Sequence, residues 1–152
     1  MTQAGFPKKN GTFTVQFRQS ANMIIGHRTY DILTKQPEFA ELENVKIAVV
    51  SHKNFQTLNK KHFVAKSPQE ALNIFTDCKE VVVAGGSILN AGFMREKLID
   101  ELYLDIEPLL VGKGIPLFAQ EDFEARLELI EVKKLTKNEL QLHCKVVKNS
   151  AT

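Results

Sequence analysis

Four apolar residues in a row, Val81-Val82-Val83-Ala84, are cut off by Gly85-Gly86 and lead into Ser87-Ile88-Leu89. A strand with one face in water alternates apolar and polar residues, whereas a strand that is apolar throughout is covered on both faces. Helices provide that cover when they link parallel strands. This one run therefore points to an α/β sheet with helices on each side.

The rest of the chain fits that frame. Met23-Ile24-Ile25 is a second short apolar run, closed by Gly26, and Thr29 to Leu33 reads as a short helix that Pro37 stops from extending. Ile47-Ala48-Val49-Val50 is a third run, followed by Ser51-His52-Lys53, and Phe63-Val64 is a weaker fourth. Ser67-Pro68-Gln69-Glu70 starts a helix expected to reach about Phe75. Ser supplies the cap, Pro the first position, and Glu three residues on completes a capping box. Ile88, Leu89 and Phe93 lie at near-helical spacing after the glycine pair. Beyond them, Leu102, Leu104 and Ile106 alternate with Glu101, Tyr103 and Asp105, as in a half-buried strand. Arg126 to Leu135 and Glu139 to Val147 are two β-like runs joined by Thr136-Lys137-Asn138. In the second, Leu140, Leu142, Cys144 and Val146 share a face, which predicts a C-terminal antiparallel hairpin at the sheet's edge.

The 152 residues suit one domain with a real core, and no repeat or low-complexity linker divides them. A net charge of +2, with basic residues scattered among acids, gives no electrostatic stripe for nucleic acid. No apolar run is long enough to cross a bilayer, and the N-terminal residues lack the apolar stretch of a signal peptide. Cys78 and Cys144 have no metal-ligand or redox spacing, so two free thiols in a cytoplasmic protein are expected. His27, His52, His62 and His143 show neither HxxxH nor HExxH spacing, and no metal is expected. No GxSxG elbow is present.

Sheets of this kind bind ligands beyond the carboxyl ends of their strands. Two strand-to-helix junctions lie there, Ile25-Gly26-His27-Arg28-Thr29 and Ala84-Gly85-Gly86-Ser87-Ile88. A helix start presents unpaired N–H groups and partial positive charge, and glycine lets a phosphate approach the backbone. His27, Arg28 and Thr29 add cationic and hydroxyl donors. Each junction taken alone reads more simply as a tight turn, and neither carries the GxGxxG of dinucleotide-binding folds. Ser51 and His52 end a strand at the same edge, where they suit an adenosine phosphate or, more simply, form a solvated loop.

Taken together, the motifs resemble the dihydrofolate reductase superfamily. Gly26-His27-Arg28-Thr29-Tyr30-Asp31 is similar to its G-R-x-T-[YWF]-[ED] junction, with the basic order changed, and Val82 to Ser87 to its second Gly-Gly turn. Asp100-Glu101-Leu102, then Pro108-Leu109-Leu110-Val111-Gly112-Lys113-Gly114-Ile115-Pro116-Leu117-Phe118, resembles the D-E-L…P-x-x-x-G-x-G-x-P-L-F segment. This last signature favours the riboflavin-pathway deaminase–reductase C-terminal (RibD C-terminal-like) branch.

The resemblance implies a three-layer dihydrofolate reductase-like fold, its sheet mostly parallel with a C-terminal antiparallel hairpin. It implies NADPH as cofactor, with Gly26, His27, Arg28 and Thr29 at its phosphates and Ser51 and His52 near its adenosine end. Gly85 and Gly86 would be joined by a cis peptide, with Ser87 and Ile88 starting the helix over the pyrophosphate. It further implies hydride transfer to a small-molecule substrate, a pteridine or ribosylamino-pyrimidine, by a homodimer. A nucleotide-binding module without turnover, or a flavin- or ligand-carrying protein, are readings of a different class. No catalytic residue is assigned, because Asp31 reads as a solvated helix residue. Family members open with an apolar strand ending in S-[LI]-D-G, and this sequence has no such run. The expectation is a sheet without its first strand. Thr12 to Phe17 could fill the gap as a strand, with Phe13, Val15 and Phe17 alternating, but the resemblance implies a helix there with Phe13 and Phe17 on its buried face.

Overall fold

In a computed structural model that describes residues 2–3 and 22–148, the apolar runs become neighbouring strands of one sheet. The strands are β1 (Thr2–Gln3), β2 (Asn22–Gly26), β3 (Lys46–Val50), β4 (His62–Ala65), β5 (Val82–Val83), β6 (Glu101–Ile106), β7 (Arg126–Lys134) and β8 (Leu140–Val147). Between them lie α1 (His27–Leu33), a 3-10 turn (Pro37–Leu42), α2 (Pro68–Asn73) and α3 (Ser87–Arg95). The strand order is β4-β3-β2-β5-β1-β6-β8-β7. All pairings from β4 through β6 are parallel, and β8 then runs antiparallel to both β6 and β7. This is the mixed sheet with a C-terminal antiparallel hairpin that the sequence predicts.

The alternation of side chains along a strand sorts the core into two layers. Ile24, Ala48 and Val83 face α2 and α3, packing with Ala71, Phe75, Leu89 and Phe93. Met23, Ile25, Ile47 and Val49 face the other way, against Tyr30 and Leu33 of α1 and Leu42 of the 3-10 turn. The Ser67 cap forms as expected, Glu70 N–H donating to Ser67 Oγ at 3.1 Å, but the Glu70 carboxylate reaches one residue beyond the cap and accepts from Lys66 N–H at 2.8 Å. Pro37 does more than halt α1, since it takes the first position of the 3-10 turn.

Two expectations need correcting. The middle of the sheet is not open for want of a first strand, because Thr2–Gln3 occupies it over two residues, with Thr2 in register with Val82 on one side and Glu101 on the other. Strand pairing uses backbone groups, so two polar residues suffice there. No cis peptide occurs among the described residues, so Gly85–Gly86 is trans, the form that ordinary peptide energetics favour. The helix expected over Thr12 to Phe17 lies outside the described residues.

Candidate cofactor site

Strand order reverses between β2 and β5. From β2 the chain crosses to β3 through α1 on one face of the sheet, and from β5 it crosses toward β6 through α3 on the other. Two neighbouring parallel strands whose succeeding helices diverge leave a crevice outside their carboxyl ends, the usual ligand site of open α/β sheets. Both glycine junctions of the sequence border it. Gly26 is the N-cap of α1 and Gly86 that of α3, both extended, and no side chain caps either helix. The first-turn N–H groups, which helix geometry leaves without internal partners, therefore face the crevice.

The two glycines of the second junction do different jobs. A Cβ on Gly86 would meet nothing within 4 Å, so the backbone there is open to a ligand. A Cβ on Gly85 would lie 2.5–2.9 Å from Leu89, so this position lets α3 fold tightly against the strand end. Ser87 is half-buried and Ile88 exposed. The third motif joins here too: Asn90 Nδ2 donates to Leu117 O at 2.8 Å, and Ala119 N–H to Ser87 O at 2.9 Å.

At the first junction the predicted residues separate. Arg28 is exposed and Thr29 is buried. His27 turns to its neighbours: Nδ1 meets Ser51 Oγ at 3.0 Å, Nε2 lies 3.5 Å from Asp31, and the ring stacks on Phe55 at 4.0 Å between centroids. Ser51 is buried and also accepts Lys53 N–H at 3.0 Å, whereas His52 is exposed. Sequence reasoning placed His27, Ser51 and His52 together at this edge but missed Phe55, a single aromatic within a polar stretch.

The loop after β3 is irregular yet tied at several points. Lys66 Nζ donates to Lys53 O at 3.1 Å and to Asn54 Oδ1. Leu58 N–H donates to the Tyr30 hydroxyl at 2.9 Å, and that hydroxyl lies 3.0 Å from His62 Nδ1. Burial pushes the His62 imidazole below its ordinary value, with only a carbonyl contact from Leu42 opposing, so it is held neutral. Burial also raises the Tyr30 phenol, with Asp31 adding to the rise and the Leu58 N–H opposing it. The network then assigns the protons. Tyr30 O–H donates to Nδ1, which leaves the ring proton on the buried Nε2, where the Leu42 carbonyl is near but no bond of full hydrogen-bond geometry forms.

No group of three or more metal-ligating side chains gathers among the described residues, and none of their helices is long and apolar enough to cross a membrane. Cys78 and Cys144 are free thiols.

Known proteins share this fold. The chain superposes on a candidate riboflavin biosynthesis protein from Shewanella sp. PV-4 with a TM-score of 0.71 at 20% identity, covering 93% of this chain and 84% of that one. RibD of Acinetobacter baumannii gives a TM-score of 0.69 at 15% identity over 96% of this chain and 57% of its own. A pyrimidine reductase-like protein from Corynebacterium diphtheriae gives 0.59 at 16% identity over 86% and 77%. In sequence, 61 residues are 39% identical to the uncharacterized protein YwjB of Bacillus subtilis (strain 168), covering 40% of this chain and 34% of that one. The RibD C-terminal domain family matches residues 10–141. With its fold, its divided crevice and this match in agreement, the chain belongs to the RibD C-terminal domain family.

Proposed function

We propose that this chain is an NADPH-dependent reductase that transfers hydride to a pteridine or a ribosylamino-pyrimidine. The observation that carries the reading is the pair of uncapped, glycine-headed helices at the point where strand order reverses, one on each face of the sheet. Such a crevice offers backbone donors to a dinucleotide's phosphates from two sides. The residues fit the group. Gly86 leaves open space beside the N–H groups of Ser87 and Ile88 for the pyrophosphate. Arg28 is an exposed cation beside the crevice, and Gly26 leaves its own backbone uncovered. We assign Ser51 and His52 to the adenosine end, with His27 bonded to Ser51, and Thr29 to the phosphate side at the start of α1. When bound, the nicotinamide supplies the hydride, and what remains for the protein is to orient the two reactants and exclude water.

Titration of NADPH, and then its oxidation with ribosylamino-pyrimidines and oxidised pteridines as hydride acceptors, tests the reading. Binding without turnover on any candidate identifies a nucleotide-binding module instead. Arg28→Ala is expected to weaken NADPH about tenfold and NADH less, because a guanidinium reads phosphate charge. Equal affinities for the variant and the parent chain remove Arg28 from the site.

A second copy of this chain is the partner we infer for the antiparallel end. Register places Leu129 opposite Cys144, and Val132 and Leu104 on either side of Leu142, so one sheet face is apolar. Leu129 is 57% and Val132 52% exposed on that face, neighbouring apolar side chains of the kind that a contact surface offers. A face that covers its own copy satisfies a two-fold dimer.

A further inference from the structure

The buried pair Tyr30–His62 touches no surface that a ligand could reach, yet it is the deepest anchor of the loop bordering the crevice. Tyr30 is 2% and His62 4% exposed. They come from different elements, Tyr30 from α1 and His62 from the first position of β4. Phe39 closes over both rings, edge-on to each at 5.9 Å and 5.7 Å. Within this apolar cage the phenol oxygen has two partners, Leu58 N–H and His62 Nδ1. Thr57 adds a tie from the same stretch, its hydroxyl bonding the His62 carbonyl at 2.8 Å. The two ends of the loop are thus fixed to different things. Its start is held at Ser51 and Phe55 by His27, which opens α1, and its end is held at Leu58 by Tyr30, one turn further along the same helix.

We infer that Tyr30 and His62 are positioning residues for the cofactor, acting as a buried pin that sets the course of residues 51–58 and so presents the stacked His27–Phe55 pair and Ser51 at the edge of the crevice. The inference rests on the reading of the preceding subsection for the identity of the ligand, but not for the ordering of the loop. Its physical basis is the asymmetry of buried polar groups. A phenol in an apolar cage keeps its hydroxyl satisfied only while both Leu58 and His62 stay in place, and separating any of the three leaves a buried group unpaired. Regular secondary structure does not hold this loop, so the shape of its second half depends on that bond. Because Tyr30 and His27 belong to one helix, α1 carries both the crevice-facing end and the hidden anchor of the loop.

Tyr30→Phe removes the hydroxyl and keeps the ring, and His62→Gln keeps a hydrogen-bonding side chain if the first variant folds poorly. Amide hydrogen exchange in the ligand-free protein is the first readout. Leu58 and the remaining amides of residues 51–58 should exchange about tenfold faster in Tyr30→Phe, the size expected from one net hydrogen bond, while amides of β2 and α3 stay as they were. The second readout is affinity. NADPH should bind about three- to tenfold more weakly, whereas reduced nicotinamide mononucleotide, which lacks the adenosine half, should bind unchanged. Unaltered exchange at Leu58 overturns the pin. Faster exchange with unaltered NADPH affinity overturns its link to the cofactor, and an equal loss for both nucleotides marks a general disturbance and overturns it likewise. A parent chain that binds no dinucleotide sinks the proposed function and the positioning role together, while the exchange data still decide whether the pin orders the loop.

Discussion

The two ends of the sheet solve the problem of covering apolar surface differently. In the parallel end, β2 and β3 each have three central residues fully buried, and helices lie on both faces. In the antiparallel end, all nine residues of β7 are exposed, although they include Leu127, Leu129, Ile130 and Val132. The difference stems from connectivity. A parallel link needs a crossover, and the crossover supplies a helix, whereas a hairpin returns in a few residues and brings nothing to lay over its face. The parallel end is complete within one chain and holds the crevice. The antiparallel end is complete as a ladder of hydrogen bonds but not as a packed layer.

That contrast sets the scale of three expected outcomes. The largest concerns the core of the parallel end, where Phe93 is fully buried between α3 and the sheet. Phe93→Ala should cost about 3–5 kcal/mol in urea unfolding, against a few tenths for Leu129→Ala at concentrations where the chain is single. Comparable losses would mean that the hairpin is covered within one chain after all. Next, replacing Leu129 and Val132 together by Lys should halve the mass seen by light scattering at micromolar concentration while leaving the fold intact. An unchanged mass, whether single or double in the parent chain, would break the inference that a second copy lies on this face.

The smallest effect is on pH dependence and is confined to the parallel end. His62 has its folded value depressed by burial, so the unfolded chain binds the proton more readily than the folded one. Its contribution to stability is whole above the unfolded imidazole value of about 6.5 and declines as pH falls through and below it, down to the folded value. His62→Gln should remove that part of the slope between neutral and mildly acid pH. Identical slopes for parent and variant would show that the ring is not titrating differently in the two states.

Much of this was legible in the residues because the signals were local. Ile47 to Val50 reads as a covered strand without knowing its neighbours, and Ser67-Pro68-Gln69-Glu70 carries its own cap, which forms as drawn. The glycine junctions were likewise local, and they do border the crevice. What escaped was long-range. Thr2–Gln3 has no apolar pattern because its role is backbone pairing with β5 and β6. The contacts of His27 with Ser51 and Phe55 were not legible, because nothing in the chain near it announces either as a partner. The stretch after Ser51 looked solvated because the groups that shape it, Tyr30 and Lys66, lie outside it in sequence.

The place of β1 bears on the order in which the fold can assemble. Its two residues are made long before their partners Val82 and Glu101, which lie far along the chain. Bringing such distant segments together must first overcome the entropy of closing a very long loop, whereas β7 and β8 meet across a short turn. During synthesis, β2 and β3 with α1 between them have all their mutual contacts available well before Glu101 has left the ribosome. The central slot of the sheet is therefore a late closure, joining the parallel block to the strands made after it, and β1 must wait until β5 has been made before it has anything to pair with.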